Sequence, residues 1–293
     1  MSHPLAHWSW QTLVILLALG AWYELGRSRL GREPSTDPAQ HLSIRRQVYF
    51  HAGLITLLIA FGSPLDWWGY RYFYLHTVQH LLLMFAAPSL IAAGAPWRAL
   101  AAALPDGVRG ALGSGRPGRA LRAARGLLTG VWFAAGAFNL AMVGWAIPGA
   151  LDYSERSRFA HVWLANGGMF VAGLLFWLLI IDSPPLRVRP GLAVQAGVLL
   201  ATNVIMWGLA MAMSLFAHHS WYSVYDHVHG VALSAYGDQL LGAGILWVCG
   251  DFWAVPALVI VVRRLIAREQ GDADAAIERI LGQGPPASTR PSS

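Results

Sequence analysis

Two histidines and a methionine recur at four-residue intervals at the start of a long apolar run. In an α-helix this spacing puts His76, His80 and Met84 on one face, with the imidazoles about 6 Å apart along the axis. The residues after His80 are apolar enough to cross a membrane, where ionisable side chains are expensive and usually functional. Two imidazoles and a thioether favour copper over magnesium or calcium. The spacing predicts a copper site, and its alternative is ordinary hydrogen bonding between packed helices.

The composition predicts a membrane protein. Hydrophobic residues make up 56% of the 293 residues and charged residues 12%, and the apolar residues occur in long blocks. A helix needs about 17–25 such residues to cross the hydrocarbon core. We predict an all-α fold, a bundle of seven transmembrane helices, with Pro88 and Pro256 kinking two of them. The predicted spans are Trp8–Leu25, Val48–Leu65, Phe73–Gly94, Leu127–Ile147, Val162–Ile181, Gly191–Phe216 and Gln239–Val262.

The arginines predict the orientation of this bundle. All 21 basic residues are arginine, and most lie in the segments that follow the first, third, fifth and seventh spans. The positive-inside rule then places the N-terminus outside and the C-terminus in the cytoplasm. Anionic headgroups of the lipid bilayer are the expected counter-charge, and no nucleic acid partner is expected. We predict a membrane domain over residues 1–268 and a largely disordered cytoplasmic tail over residues 269–293.

The histidines cluster on this topology. Nine of the 11 fall at the outer face, although only arginines were used to orient the chain. His161 opens the fifth span, and His218 and His219 end the sixth. These three are candidate metal ligands, and the alternative for the two in the loop is that they are simply solvated.

Two further polar groups narrow the chemistry. Cys249 is the single cysteine, which excludes an intramolecular disulfide and a Cys-x-x-Cys metal motif. Asp251 lies near the middle of the seventh span, where an unpaired carboxylate is very unfavourable. It is either a proton relay or an acid that is hydrogen-bonded by one of the asparagines on other spans, which are Asn139, Asn166 and Asn203.

Six stretches occur in order along most of the chain, at residues 63–66, 76–84, 86–88, 94–96, 173–177 and 238–247. Together they resemble the signature of the seven-span CtaG family, the assembly factors of the caa-type cytochrome c oxidase. The resemblance implies a role in delivering or inserting copper during oxidase biogenesis, at the outer face of the bacterial inner membrane. By motif it carries over to His76, His80, Asp238 and Gln239.

The chain departs from the family pattern at two places. The fourth span of the family often ends in His-x-Pro, where this chain has Ala146-Ile147-Pro148, and the fifth often carries a histidine where this chain has Asn166. We expect His161, His218 or His219 to replace the missing ligands.

The predicted function is that of a non-enzymatic membrane assembly factor. It would hold copper on His76 and His80 and pass it to an oxidase subunit, the copper-receiving partner. Met84 or Asp238 would complete or gate the site, and Gln79 would orient an imidazole through a hydrogen bond. Gln79, Asp238 and Gln239 are accordingly predicted binding residues; they are adjacent to histidines or part of the family motif.

Two alternative functions stay open from the sequence. One is a membrane electron-transfer protein, in which His76 or His80 is an axial ligand of a b-type haem. The other is a transporter for copper or protons, with Asp251 as the relay in the middle of the membrane.

Overall fold

The computed structural model describes residues 9–32, 43–113, 126, 130–186, 190–226 and 233–282. These residues are mainly helical, and the single β-type pairing among them is an isolated bridge between Ser183 and Leu186. The predicted all-α class is confirmed. The helices are α1 (Trp10–Leu30), α2 (Ile44–Gly62), α3 (Pro64–Gly69), α4 (Phe73–Gly94), α5 (Trp97–Ala102), α6 (Asp106–Gly113), α7 (Val131–Ala146), α8 (Pro148–Arg156), α9 (Ala160–Ile180), α10 (Leu192–Ser214) and α11 (Ala235–Gly282).

Four helices are long and apolar enough to cross a membrane: α4, α9, α10 and α11. A fifth crossing results if α7 and α8 are counted as one bent span. The predicted first and second spans form α1 and α2, but polar residues such as Glu24 in α1 and Arg45 in α2 lower their hydropathy. Among the described residues the structure therefore supports four or five crossings. The count of seven and the orientation of the termini stay predictions.

Helix α4 is the most buried of the four candidate spans and packs against α2, α3, α9 and α11. It carries a π-helical segment at Leu82–Ala86, just before Pro88. A proline cannot donate to the carbonyl four residues earlier, which here is that of Met84. The indole nitrogen of Trp177, on α9, donates to that carbonyl instead at 3.1 Å. Pro88 therefore leaves the Met84 carbonyl available as an acceptor, and the hydrogen bond from Trp177 joins α9 to α4.

A glycine allows this close approach of the two helices. A methyl group added at Gly173 would lie 2.6 Å from the Met84 carbonyl oxygen. Gly173 and Trp177 are four residues apart and share one face of α9. This face of α9 is therefore specialised for contact with the backbone of α4 at Met84.

Helices α7 and α8 meet at a bend of 80°. Ile147 between them is extended, with ψ at 127°, because the ring of Pro148 disfavours helical geometry at the residue before it. The bend turns α8 across the end of the bundle and brings Glu155, near its last turn, to the side of α4.

Helix α11 is longer than the predicted seventh span and continues to Gly282. Residues 269–282 are therefore helical, and this part of the tail prediction is wrong. The segment contains three Ala and two Glu, which are strong helix formers, and no Pro that would end the helix beyond the apolar run. The remainder of the predicted tail, residues 283–293, lies outside the described residues.

Candidate functional site

Three histidines converge next to α4. The ring centres of His76 and His80 are 3.9 Å apart, and that of His161 lies 6.1 Å from that of His76. His76 and His161 are essentially inaccessible to solvent, at 1% and 0% exposure. The helical spacing of the sequence explains the first pair. The third ring comes from α9, where a second π-helical segment spans Ala160–Gly167. π-Helical segments are frequent at functional sites, and both segments of this chain border the histidines.

A buried carboxylate joins two of these rings. Glu155 Oε1 lies 2.8 Å from His161 Nδ1 and 3.4 Å from His76 Nδ1, and its side chain is 3% exposed. The contact to His161 is a hydrogen bond, whereas that to His76 does not have hydrogen-bond geometry. Glu155 thus brings a carboxyl group to the histidine cluster from α8.

On its other side, His161 faces a second carboxylate and an amide. Its Nε2 lies 3.3 Å from Asp66 Oδ1 and 3.0 Å from the amide nitrogen of Asn166. Asn166 occupies the position where the family often carries a histidine, and it contacts a histidine here. Both nitrogens of His161 are therefore engaged by protein groups, which fixes the orientation of the ring.

His76 and His80 differ from His161 in this respect. In the part of the chain that the structure describes, both ring nitrogens of His76 and Nε2 of His80 are buried without a hydrogen-bond partner. Buried polar atoms are nearly always paired, so an exception needs an explanation such as an ion. A neutral imidazole has one lone pair that can bind a metal. One nitrogen of each ring is therefore available as a ligand.

A cavity of about 50 Å³ lies beside these nitrogens. His76, His80 and Met84 all line it, so the face that the sequence spacing predicts is the face that borders the cavity. A water molecule needs about 10–15 Å³ of such volume, and the space is therefore large enough for a metal ion. Most of the other lining residues are aromatic or aliphatic.

Gln79 does not orient His80. Its side-chain nitrogen donates to the Ala60 carbonyl at 2.9 Å and to Asp66 Oδ1 at 2.7 Å. It therefore ties α4 to α2 and holds the carboxylate that faces His161. The predicted role of Gln79 in orienting an imidazole applies to a different histidine, and it acts through Asp66.

Asp238 supports the start of α4 and does not face the cavity. Its two carboxylate oxygens accept the backbone N–H groups of Phe73 and Tyr74 at 2.7 and 3.0 Å. Tyr72, at the N-terminal boundary of α4, makes no capping hydrogen bond with its side chain, so α11 provides the cap. Each oxygen accepts one backbone N–H group in this cap, and the role of Asp238 in binding or gating copper stays a prediction.

Gln239, the next residue, holds two backbone segments together. Its nitrogen donates to the Met213 carbonyl at 2.9 Å, and its oxygen accepts from the N–H of Trp221 at 2.7 Å. The amide thus links the end of α10 to the loop that follows it, and the binding role of Gln239 stays a prediction.

His218 and His219 lie in the loop after α10 and are exposed. Neither lines the cavity. Of the histidines expected to replace missing family ligands, His161 alone joins the cluster of His76 and His80.

The comparison with known families identifies the chain. The family model described as cytochrome c oxidase caa3 assembly factor matches residues 2–268. The chain belongs to this family. The resemblance seen in the sequence is confirmed. No curated protein and no solved structure matches the chain.

Within this member of the assembly factor family, the histidine cluster has an aromatic rim. The ring of Tyr70 lies over His161 with a centre-to-centre distance of 4.4 Å. The hydroxyl of Tyr225 donates to the Gly69 carbonyl at 2.9 Å. Burial, reinforced by neighbouring carboxylates, raises the pKa of both tyrosines. Both phenols are therefore neutral, and the Tyr225 hydroxyl acts as a hydrogen-bond donor beside the cluster.

Three polar residues around the histidines, Asp66, Asn166 and Glu155, are not among the predicted site residues, although the sequence gives some indication of each. Asp66 belongs to the first family stretch, and Asn166 marks a departure from the family pattern. Glu155 has the weakest signal, because it lies between Ser154 and Arg156 in what the sequence suggests is a charged loop. The bend at Pro148 is what brings it inward.

The described residues hold no group of three or more His, Cys, Asp or Glu side chains arranged to bind a metal ion. His76 and His80 are the two members of these residue types that line the cavity in the described part of the chain.

Asp251 is held by α10. Its Oδ1 accepts from the amide of Asn203 at 3.1 Å and from the indole of Trp207 at 2.8 Å. The hydrogen-bonded alternative is confirmed for Asn203. Asp251 does not line the cavity beside the histidines.

Proposed function

We propose that this family member is a non-enzymatic membrane protein that holds a copper ion on His76, His80 and Met84 and passes it to a subunit of cytochrome c oxidase. Copper is here the cargo of the protein. The proposal places the site at the outer face of a bacterial inner membrane, in a bundle that crosses the bilayer seven times. The family match supports the oxidase as the assembly target.

The observation that carries the proposal is the unpaired state of the buried imidazoles. In the described residues no hydrogen-bond partner satisfies either nitrogen of His76 or Nε2 of His80. Leaving one buried polar group unpaired costs about 1–3 kcal/mol. A bound ion would remove that cost, and Met84 beside the same cavity adds a thioether that suits copper.

The carboxylate of Glu155 fits this role. Metal-binding histidines usually face a carboxylate or carbonyl with their second nitrogen, which sets the tautomer and raises ligand basicity. Glu155 lies 3.4 Å from His76 Nδ1, which leaves Nε2 of that ring for copper. His161, engaged on both nitrogens, then serves to position Glu155.

The cavity favours an ion over a haem group. Pockets for organic ligands are typically about 300–1,000 Å³, whereas this one measures about 50 Å³. The position of Asp251 gives no support to a relay across the membrane, because its partners lie on α10 and it does not border the cavity.

The proposal is tested in cells from which the gene has been deleted. Cytochrome c oxidase activity is measured after complementation with the wild-type chain, with His76→Ala/His80→Ala, and with His51→Ala. His51 is a suitable control because its Nδ1 bonds the Gln47 carbonyl and it lies outside the cluster. Membrane levels of each chain are compared by immunoblotting.

We expect the double variant to be present at wild-type level and to leave oxidase activity low at limiting copper, with recovery when copper is added. His51→Ala should complement fully. Full complementation by the double variant at limiting copper would contradict the proposal.

A further inference from the structure

Four methionines surround the cavity beside the unpaired histidines. They are Met84 of α4, Met142 of α7, Met169 of α9 and Met213 of α10. All four are buried. The whole chain has seven methionines, so more than half of them meet around a space of about 50 Å³. Four separate helices thus each place a methionine at the cavity beside the unpaired imidazole nitrogens.

The other lining groups offer little to a cation. Two of them are hydroxyls that already donate to backbone carbonyls: Thr77 to Phe73 at 3.1 Å and Tyr222 to Ala146 at 2.9 Å. No carboxylate and no thiol lines the cavity in the described part of the chain. The available donors are therefore neutral imidazoles and thioethers.

This donor set discriminates between oxidation states. Thioether and thiolate ligands favour Cu(I), whereas carboxylates and water suit harder ions. The free energy of transferring an ion into a medium of low dielectric constant rises with the square of its charge. For a dication it is therefore about four times that for a monocation of the same size. Without an anionic ligand in contact with the ion, Cu(II) and Zn(II) are disfavoured. A monovalent soft ion is the best match.

The cavity among the four methionines is not explained by core packing alone. Methionine is commonly used to fill irregular gaps in a core, and gap filling would leave little free volume. Here the four side chains leave a cavity among them. The same cavity borders the π-helical segment that contains Met84, a type of irregularity that is frequent at functional sites.

We infer that the site is selective for Cu(I) and that Met142, Met169 and Met213 supply thioether ligands in addition to His76, His80 and Met84. This inference rests on the proposed copper-holding function and deepens it, because it names the oxidation state and further ligands. It requires no redox step within the protein.

The test uses the purified full-length chain in detergent under anaerobic, reducing conditions. Cu(I) affinity is measured by competition with a chromogenic Cu(I) chelator, and the copper ligands are counted by X-ray absorption spectroscopy. The variants are Met142→Leu/Met169→Leu/Met213→Leu and, separately, His76→Ala/His80→Ala. Leucine nearly preserves the volume of methionine and is usually tolerated in a core.

Met206→Leu is the matched control. Met206 is also buried on α10 but lines a different cavity. Near-ultraviolet circular dichroism checks that each variant keeps its tertiary packing. Ag(I) and Zn(II) are tested as competing ions, since Ag(I) shares the charge and softness of Cu(I) and Zn(II) does not.

We expect the triple variant to lose at least about tenfold in Cu(I) affinity and to show weaker copper–sulfur scattering, with only the contribution of Met84 remaining, and we expect Met206→Leu to match the wild type. Ag(I) should displace Cu(I) from the wild type, and Zn(II) should not. If the triple variant binds Cu(I) like the wild type, with the same copper–sulfur scattering in both, Met142, Met169 and Met213 are packing residues and this inference is overturned. If the methionine variant binds Cu(I) normally but His76→Ala/His80→Ala does not, the proposed function is still supported and only the further inference fails. Undiminished copper binding by the histidine variant would instead overturn the proposed function.

Discussion

Replacement of Gly173 by alanine tests whether the contact between α9 and α4 positions the copper site. The added methyl group would lie 2.6 Å from the Met84 carbonyl oxygen and 3.0 Å from its Cα atom. Ordinary contact begins at about 3.4 Å, so the two helices must separate by about 0.8 Å at this point. These two atoms are backbone and the third close atom, at 3.0 Å, is Cγ of the Pro88 ring, so no side-chain rotation relieves the clash.

The expected free-energy change has two parts. Overpacking of a well-packed core costs about 1–3 kcal/mol. Separation of the helices also weakens the bond from the Trp177 indole to the Met84 carbonyl, now 3.1 Å, and a buried acceptor left unpaired costs about 1–3 kcal/mol. We therefore expect Gly173→Ala to lower the free energy of unfolding by about 2–6 kcal/mol and to weaken copper binding.

The assay is reversible unfolding in mixed detergent micelles, followed by the competition measurement of copper affinity. Gly168→Ala is the control, because a methyl group added at Gly168 on the same helix meets nothing within 4 Å. Trp177→Phe removes the hydrogen bond alone, and a double-mutant cycle with Gly173→Ala should be strongly non-additive. If Gly173→Ala and Gly168→Ala are equally stable and bind copper equally, the proposed packing of α9 on α4 is refuted.

Three further substitutions have different expected outcomes. Asp238→Ala leaves the first backbone N–H groups of α4 without their cap and should lower the free energy of unfolding by about 1–3 kcal/mol; the exposed Asp226→Ala should change it by less than about 0.5 kcal/mol. Asp66→Ala removes the group that links Gln79 to His161 and should weaken copper binding about 10–100-fold, measured by chelator competition. Asp251→Asn should leave the copper content of the purified chain unchanged, because its partners lie away from the cavity; a loss of copper would show that Asp251 belongs to the site.

The sequence predicted the helical class and the family, and it found the face of α4 that borders the cavity. The helical class and the face of α4 depend on local information. The four-residue spacing of His76, His80 and Met84 fixes their common face wherever the helix lies. Long apolar blocks likewise identify helices without knowledge of their neighbours.

The roles of Gln79, Asp238 and Gln239 could not be read from the sequence. A polar residue next to a histidine suggests a ligand or an orienting group. All three instead bind backbone groups, and Gln79 also donates to the carboxylate of Asp66. Their partners are distant in the chain. Asp238 caps a helix that starts 165 residues before it. The family motifs at these positions thus mark residues that hold the scaffold of the site.

Glu155 shows the opposite difficulty, since it joins the cluster from a segment that the sequence suggested was a loop. Its inward position depends on the 80° bend before α8. The proline that causes the bend is visible in the sequence, but the direction of the turn depends on how α8 packs against the bundle. The convergence of four methionines from four helices depends on tertiary packing for the same reason.

The central claim is that the buried imidazoles of His76 and His80 hold copper. Its most direct test is the copper content of the purified full-length chain after loading with Cu(I) and removal of loosely bound metal, compared with His76→Ala/His80→Ala and with His51→Ala. We predict bound copper in the wild type and in His51→Ala, and a content indistinguishable from a copper-free blank in the double variant. Equal copper content in all three chains would contradict the claim.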